Sequence, residues 1–197
     1  MSLRIKKIFL WAVGVVFGAF ILLVIYRIPH AIDQQKTAEA VAKIHAAKLT
    51  LDDVTGKNLP PDPGADADKT VEGVDANKNG IRDDVELAIF KKYPDSARIR
   101  AAELQYALAL QNELTSNVFN SETLVAAIQE EGRGFGCIYK NSLTDQIFNV
   151  YKKEVRDLVF NTDGRKKKSD EVFNKYMTSF SALKSQDCDI ESASFPN

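Results

Sequence analysis

A run of 19 residues without a charged side chain, Ile8–Tyr26, is the feature that most limits what this chain can fold into. At ~1.5 Å per residue, a helix of this length crosses roughly the hydrocarbon core of a bilayer. Trp11 and Tyr26 lie near its two ends, where amphipathic rings prefer the headgroup region. Residues 1–27 are therefore expected to form a short cytoplasmic tip and one transmembrane helix.

A cleaved signal peptide is the alternative interpretation of this run. The apolar part of a signal peptide usually spans ~7–15 residues and ends at a small-x-small cleavage site. Here the run is longer, and the residues after it, Arg27-Ile28-Pro29-His30, form a poor processing site. We therefore expect an uncleaved anchor.

The flanking charges predict the orientation of the anchor. Arg4, Lys6 and Lys7 precede the run, whereas Arg27 after it is soon balanced by Asp33. Excess positive charge stays in the cytoplasm, so we expect the N-terminus inside and residues from about 28 onward exported. In a bacterium this places the anchor in the inner membrane and the rest of the chain in the periplasm.

Gly14 and Gly18 form a G-x-x-x-G pattern within the run. Small residues at this spacing let two membrane helices pack closely, so a dimer through this face is a hypothesis. Glycine is also common in membrane helices that do not pair, which leaves a lone span as the alternative.

Composition divides the remainder into three parts. Residues 28–51 are rich in Ala, Lys, Glu and Gln with a thin apolar stripe, which predicts a helical stalk. Residues 52–73 carry several prolines, glycines and aspartates, which favours a linker or an extended segment laid over the domain. Residues 74–197 show helical spacing of apolar residues and no convincing strand alternation. The expected fold is mainly α, with the anchor and stalk followed by a small helical bundle.

Four or five helices are expected in that bundle. The glycine-rich stretch Gly132–Gly136 predicts a flexible turn after the third helix. The basic run Arg165–Lys168 is expected in a solvated turn before the last helix, capped by Ser169; contact with anionic lipid, polysaccharide or an acidic partner is the alternative. The predicted helices are Asp83–Tyr93, Ser96–Leu114, Ser121–Glu131, Asp145–Phe160 and a last one from Ser169 to Leu183.

Cys137 and Cys188 both lie in the part expected to be exported. In an oxidising compartment a single pair most simply forms one disulfide, which would close a loop of about 50 residues and contribute ~4 kcal/mol. A free catalytic thiol is the alternative, but neither cysteine has a histidine near it in sequence. We therefore expect the disulfide.

The segment Asp75–Glu86 (DANKNGIRDDVE) matches the pattern D-x-[DN]-x-[DN]-G-x5-E at every specified position. Calcium takes ~6–8 oxygen ligands, and alternate side chains of a tight loop can supply them. Gly80 permits the sharp turn that a residue with a Cβ resists. A polar Asn-Gly turn followed by a helix with an acidic first turn is the alternative. The predicted ligands are the side chains of Asp75, Asn77, Asn79, Asp83 and Glu86 and the backbone carbonyl of Ile81.

This loop resembles an EF-hand loop, and still more the loop-plus-one-helix form of thrombospondin type 3 repeats and dockerins. The wider run GVDANKNGIRDDVE is also similar to segments of bacterial envelope proteins. The resemblance covers about fourteen to twenty residues and implies a bound Ca²⁺. Two departures matter: Gly64–Gly73 offers no entering helix, and Arg82 replaces the usual apolar residue at position eight. A static clip with an affinity of ~10⁻⁵–10⁻³ M is therefore expected, rather than a switch.

The remaining sequence excludes some function classes. A net charge of −1 with no clustered positive surface does not fit a nucleic-acid-binding protein. The histidines, His30 and His45, precede the domain, so no His-based triad or zinc site is expected in it. We expect a membrane-tethered binding or scaffold module of the bacterial envelope, with a structural calcium site and a protein partner. A calcium-dependent envelope hydrolase and a membrane-complex subunit acting through its anchor and stalk are the alternatives.

Overall fold

The computed structural model describes residues 3–183, 188–191 and 195. The described residues contain no β-strand, which confirms the mainly α fold. The chain divides into two compact units, Met1–Glu39 and Ala40–Asn197. The helices are α1 (Leu3–Ala46), α2 (Leu51–Thr55), α3 (Asp83–Lys92), α4 (Ala97–Gln111), α5 (Ser121–Asn141), α6 (Asp145–Val159) and α7 (Asp163–Tyr176), with short 3₁₀-helices at Gly64–Asp68 and Asn112–Leu114.

The first unit consists of the longer part of α1. From Phe9 onward this helix is long and apolar enough for a membrane span or a signal anchor, with a window of mean hydropathy 2.6 in which no residue is buried. The same helix includes residues 28–46 of the predicted stalk and ends at Ala46. Gly14 and Gly18 lie on it, and a Cβ at either would meet no atom within 4 Å. Dimerisation through these glycines stays a prediction.

Helix α4 lies at the centre of the second unit. Its residues Arg100–Gln111 are all buried, and it contacts α2, α3, α5 and α6. Apolar side chains from these helices, among them Ile89, Leu104 and Ile138, form the main core. Because α3 packs on α4, the predicted calcium loop that precedes α3 is attached directly to the core.

The segment 52–73 packs on this core and belongs to the second unit. Thr50 caps α2 through a reciprocal capping box, and Val54 within α2 is fully buried. The side chain of Arg100 donates to the Val54 carbonyl at 3.1 Å. Ala67, in the first 3₁₀-helix, is also buried. Residues 52–73 therefore form a cover segment that packs on the helical unit, and they are not a spacer in front of it.

The turn expected at Gly132–Gly136 is wrong, because α5 runs through these residues to Asn141. At Gly134, α5 approaches α4 so closely that a Cβ would lie 2.8 Å from the Cα of Tyr106. Tertiary packing at this position outweighs the low helix propensity of glycine. The helix begins at Ser121, and its cap is Asn120.

Two alanine substitutions in α5 are expected to have opposite effects on stability. Gly134→Ala forces a methyl group into the backbone of Tyr106, so the free energy of unfolding should fall by about 1–3 kcal/mol. Gly132→Ala meets no atom within 4 Å, so the gain in helix propensity should raise it by about 0.5–1 kcal/mol. Urea unfolding followed by circular dichroism measures both. Equal effects of the two substitutions would contradict the close approach of α5 to α4.

The disulfide between Cys137 and Cys188 is confirmed. It joins α5 to the C-terminal segment, where Asp189 accepts hydrogen bonds from the Arg133 side chain at 2.6 Å and from the Leu49 backbone N–H at 3.2 Å. Cys188 and Asp189 are thus fastened both to α5 and to the chain that enters the domain.

The turn expected at Arg165–Lys168 is wrong, as is the cap expected at Ser169, although Lys166 and Lys167 are exposed as expected. Both stretches lie inside α7, whose N-cap is Thr162. Helix α7 ends at Tyr176, so Leu183 lies beyond it. The Thr162 side chain accepts a hydrogen bond from the backbone N–H of Arg165 in the first turn of α7. Ser169 lies in the middle of this helix and therefore cannot cap its start.

Arg165 is fully buried and fastens the end of the cover segment to α7. Its guanidinium donates to the carbonyls of Ala67 at 2.5 Å and Val71 at 2.9 Å. It also pairs with Asp68 at 2.5 Å. These carbonyls lie just before the predicted calcium loop, so Arg165 holds the entry to that loop in place.

Candidate calcium site

The predicted loop closes on itself where it enters α3. The backbone N–H of Asp83 donates to the Val74 carbonyl at 2.8 Å. Gly80 has a φ of 88°, and Lys78 has a φ of 58°. Both values lie in the left-handed region, which Gly80 enters without the steric cost that a Cβ imposes. The sharp turn expected at Gly80 is present.

Polar side chains at alternate positions point into this turn. The Asp75 carboxylate accepts hydrogen bonds from the backbone N–H groups of Asn79 at 3.2 Å and Gly80 at 2.9 Å. The Asn79 side-chain oxygen accepts from the Ile81 N–H at 2.9 Å. The side chain of Ile81 is buried in the main core. One end of the loop is thus ordered by its own polar groups and the other by apolar packing.

Asp83 and Glu86, in the first turn of α3, are both 0% exposed. Asp83 accepts the Ala76 N–H at 2.9 Å through Oδ1. Glu86 accepts the side-chain amides of Asn77 at 3.0 Å and Asn79 at 3.1 Å, both through Oε2. The second oxygens, Asp83 Oδ2 and Glu86 Oε1, are buried and have no hydrogen-bond partner among the described residues. Buried oxygens of this kind need an explanation, because an unpaired buried acceptor is costly.

Electrostatics at these two carboxylates are unfavourable to negative charge. Burial, together with the nearby charges of Asp53 and Asp83, raises the pKa of Glu86 to about 7, although hydrogen bonds from the two asparagines act in the opposite direction. Burial likewise raises the pKa of Asp83, with smaller contributions from Asp75 and Asp84. A bound divalent cation would favour the ionised form of both carboxyl groups, because it attracts several carboxylates at once.

The loop contains a suitable donor set for calcium, but one feature must change for the ion to bind. In the part of the chain that the structure describes, no three His, Cys, Asp or Glu side chains are grouped so as to hold a metal ion. The nitrogens of the Asn77 and Asn79 amides face Glu86, whereas a cation requires their oxygens. Carboxylate, amide and carbonyl oxygens are the ligands that calcium prefers. The residues therefore fit calcium once these amides rotate, and the six predicted ligands remain the candidates.

Arg82, at position eight of the loop, is 0% exposed and joins the loop to the end of α6. Its guanidinium donates to the carbonyls of Val159 at 3.0 Å and Leu158 at 2.9 Å, and it pairs with Asp84. It also donates to Asn161 Oδ1 at 3.3 Å. Helix C-terminal carbonyls are commonly satisfied in this way. The departure from the EF-hand pattern at this position therefore has a structural role in this chain.

Sequence reasoning did not find Asp53 and Asn58, which lie against the loop. Asn77 donates its side-chain amide to the Asn58 carbonyl at 2.8 Å, and the Asn58 amide donates to Asp53 Oδ1 at 3.0 Å. Asp53 also accepts a hydrogen bond from the Asn79 side chain. The pattern Thr50-x-x-Asp53 could have indicated a capped helix here, but no sequence signal reports its contact with residues twenty or more positions away.

A pocket of about 210 Å³ lies between α5 and the chain that follows α7. Glu131 is the one carboxylate among its described lining residues. This carboxylate accepts hydrogen bonds from Arg156 at 3.0 Å and Tyr106 at 3.3 Å. A hydrolase that uses one carboxyl group as acid and another as base or nucleophile needs two carboxylates in unlike environments. The described part of this pocket does not provide that pair.

Comparison of the chain with protein-family models, with curated proteins and with solved structures finds no match. The functional assignment therefore depends on the residues and geometry given above.

Proposed function

We propose that this chain is a single-span, membrane-anchored binding or scaffold protein of the bacterial cell envelope, whose exported helical domain carries a structural calcium site at Asp75–Glu86. The observation that carries the proposal is the pair of buried, unpaired carboxylate oxygens, Asp83 Oδ2 and Glu86 Oε1, in a loop with a left-handed glycine. Calcium would satisfy both oxygens and offset the repulsion between the carboxylates.

A structural role fits this loop better than a switching role. Arg82 fastens the loop to α6, and Ile81 anchors it in the core. An EF-hand sensor opens a pair of long helices, whereas the elements before this loop are the five-residue helix α2 and the five-residue 3₁₀-helix Gly64–Asp68. Calcium would therefore hold α3 and the cover segment in one arrangement. The domain would then present a fixed surface to an envelope protein partner.

The exported location is supported by three observations. Helix α1 is long and apolar enough to span a membrane. Positive residues precede its apolar run, as expected for a cytoplasmic N-terminus. The Cys137–Cys188 disulfide is typical of an oxidising compartment such as the periplasm. Crosslinking from membranes, followed by pulldown, would identify the partner.

Calcium is expected to raise the melting temperature of the domain. The full chain in detergent is the right sample, because Ile44 and Leu49, which precede the cover segment, are buried in the domain. At a calcium concentration ~100-fold above the Kd, the gain in unfolding free energy is ~2.7 kcal/mol. For a domain of this size, that corresponds to a rise of about 5–10 °C over the chelator-treated sample. Circular dichroism measures the shift.

The experiment compares a double substitution of acidic residues in the loop with a matched double substitution outside it. Asp75→Ala combined with Glu86→Ala should remove the calcium-dependent rise and leave the helical spectrum largely unchanged. Asp62→Ala combined with Asp66→Ala also removes two negative charges, but from exposed positions, and should retain the rise. Identical melting curves in calcium and in chelator for the unmodified chain would contradict the proposed site.

A further inference from the structure

Asn79 and Gly80 form the one Asn-Gly pair in the sequence, and they lie at the sharp turn of the predicted calcium loop. Asparagine is among the chemically labile residues of proteins. The backbone nitrogen of the residue that follows can attack the side-chain amide and close a succinimide ring. Glycine leaves this nitrogen unshielded, because it has no Cβ. The pair is therefore a candidate site for deamidation of the folded chain.

The attacking nitrogen, that of Gly80, belongs to a residue that is exposed to solvent. Its N–H donates to Asp75 Oδ2 at 2.9 Å, and the other oxygen of the same carboxylate accepts the Asn79 N–H at 3.2 Å. These two hydrogen bonds hold consecutive backbone nitrogens against one side chain. They fix the turn from which the side chain of Asn79 projects, and solvent can take up the proton that the Gly80 nitrogen loses when it attacks.

The side-chain amide of Asn79 is held at both of its ends. Its oxygen accepts the Ile81 N–H at 2.9 Å, and its nitrogen donates to Glu86 Oε2 at 3.1 Å. Attack on Cγ places negative charge on the amide oxygen, and a backbone N–H that is already directed at this oxygen stabilises the charge. The fold thus supplies the donor that the tetrahedral intermediate requires.

We propose that Asn79 is a modification site, at which the folded chain converts its own asparagine into aspartate and isoaspartate. The Gly80 nitrogen forms a bond to Cγ and gives up its proton to solvent. The bond between Cγ and the amide nitrogen breaks, and this nitrogen takes up a proton from solvent and leaves as ammonia. Water then opens the succinimide. Opening at Cγ gives aspartate, whereas opening at the backbone carbonyl gives isoaspartate, in which the main chain runs through the side-chain carbons.

Either product changes the loop irreversibly. It removes an amide that donates to Glu86, and it adds a negative charge to a stretch that already carries Asp75 and Asp83. Isoaspartate also lengthens the main chain at the turn. The reaction consumes only water, so the inference does not depend on the binding of calcium.

Asn77 provides a matched comparison within the same loop. Its oxygen accepts the N–H of Asn79, two positions on, at 3.3 Å, and its nitrogen donates to Glu86 Oε2 at 3.0 Å. These contacts parallel those of the Asn79 amide. The residue that follows Asn77 is Lys78, whose side chain flanks the nitrogen that would attack. The two sites therefore differ chiefly in the glycine.

Peptide mass spectrometry of the full chain, kept folded in detergent with a chelator, tests the inference. The mass gain that results when the amide NH₂ is replaced by OH should accumulate at Asn79 at least ~10-fold faster than at Asn77, a barrier difference of ~1.4 kcal/mol. A parallel sample in urea gives the rate for the unfolded chain.

A variant that gains a reactive site makes the test independent of damage to the loop. Lys78→Gly creates a second Asn-Gly pair, and glycine takes the φ of 58° at this position without steric cost. Asn77 should then convert at least ~10-fold faster than in the unmodified chain. The matched control is Lys78→Ala, which removes the same charge but keeps a Cβ, and in which Asn77 should remain slow.

Three results would overturn the inference. The first is an equal rate at Asn79 and Asn77 in the folded, unmodified chain. The second is conversion of Asn79 only in the sample unfolded in urea, and the third is an unreactive Asn77 in Lys78→Gly. Because every sample contains chelator, these results do not bear on the proposed calcium site, and a loop that binds no calcium would leave this inference intact.

Discussion

Replacing Arg82 by methionine is expected to lower the free energy of unfolding by about 3–5 kcal/mol. Arg82 is fully buried, and its guanidinium is the donor for the Val159 and Leu158 carbonyls at the end of α6. Methionine keeps much of the aliphatic volume but donates no hydrogen bond. Two carbonyls lose this donor, and the carboxylate of Asp84 loses its ion pair.

Urea unfolding in the presence of a chelator measures this loss without a contribution from calcium. The matched control is Arg98→Met, an arginine at an exposed position of α4, for which a change within about 0.5 kcal/mol is expected. A loss for Arg82→Met as small as that for Arg98→Met would contradict the role of Arg82 in joining the loop to α6.

The second large effect is a dependence of stability on pH that originates at Glu103. This residue of α4 is 1% exposed, and its Oε1 has no hydrogen-bond partner among the described residues. Burial raises the pKa of Glu103 from 4.5 to about 8; the charge of Glu154 also raises it, whereas Tyr93 and Lys92 act in the opposite direction. The folded chain therefore holds a proton on Glu103 that the unfolded chain releases at lower pH.

The sign of the effect follows from this difference. Stability is fully present below the unfolded pKa of 4.5 and is lost as the pH rises to about 8. The slope from this single residue approaches ~1.4 kcal/mol per pH unit between the two values. Glu103→Gln carries no ionisable proton, so its stability relative to the unmodified chain should increase steadily over this range.

The measurement is a series of urea unfolding curves from pH 4.5 to 8 in chelator, in which the two chains are compared at each pH. The informative quantity is the difference in unfolding free energy between the two chains. Burial also raises the pKa of Glu86 and Glu113, which changes the pH dependence of both chains by the same amount and cancels in the difference. Glu122→Gln at an exposed position of α5 should leave the curve unchanged. A constant difference between Glu103→Gln and the unmodified chain would contradict a raised pKa.

Local patterns predicted several elements of this fold closely. Helix α6 was expected at Asp145–Phe160 and is found at Asp145–Val159, because its buried apolar residues, Phe148, Val155 and Val159, recur at helical spacing. The turn at Gly80 and the start of α3 at Asp83 also follow from sequence. The disulfide followed from having only two cysteines. In each case, the information lies within a few residues or in a simple count.

The errors occur where a distant contact decides the outcome. Glycines in α5 were interpreted as a turn from their propensity, but the approach of Tyr106 requires a glycine at Gly134 within a helix. Arg165 was interpreted as part of a solvated run, but its guanidinium binds carbonyls almost one hundred residues earlier in the chain. Neither contact leaves a periodic signal.

The candidate site was likewise predicted only in part from the sequence. Its six candidate ligands could be named from sequence because they occupy one continuous stretch with fixed spacing. Asp53 was missed because α2 reaches the loop through tertiary packing of Val54 and Gly56. The acidic, proline-rich composition of the segment suggested a linker or a cover, and its buried residues show that it covers the domain.

Direct binding of calcium to the unmodified chain tests the central claim most simply. Equilibrium dialysis of the full chain in detergent should show one calcium ion per chain with a Kd of ~10⁻⁵–10⁻³ M, and no saturable binding after Asp75→Ala and Glu86→Ala are combined. An unmodified chain that binds no calcium at ~10 mM would contradict the claim.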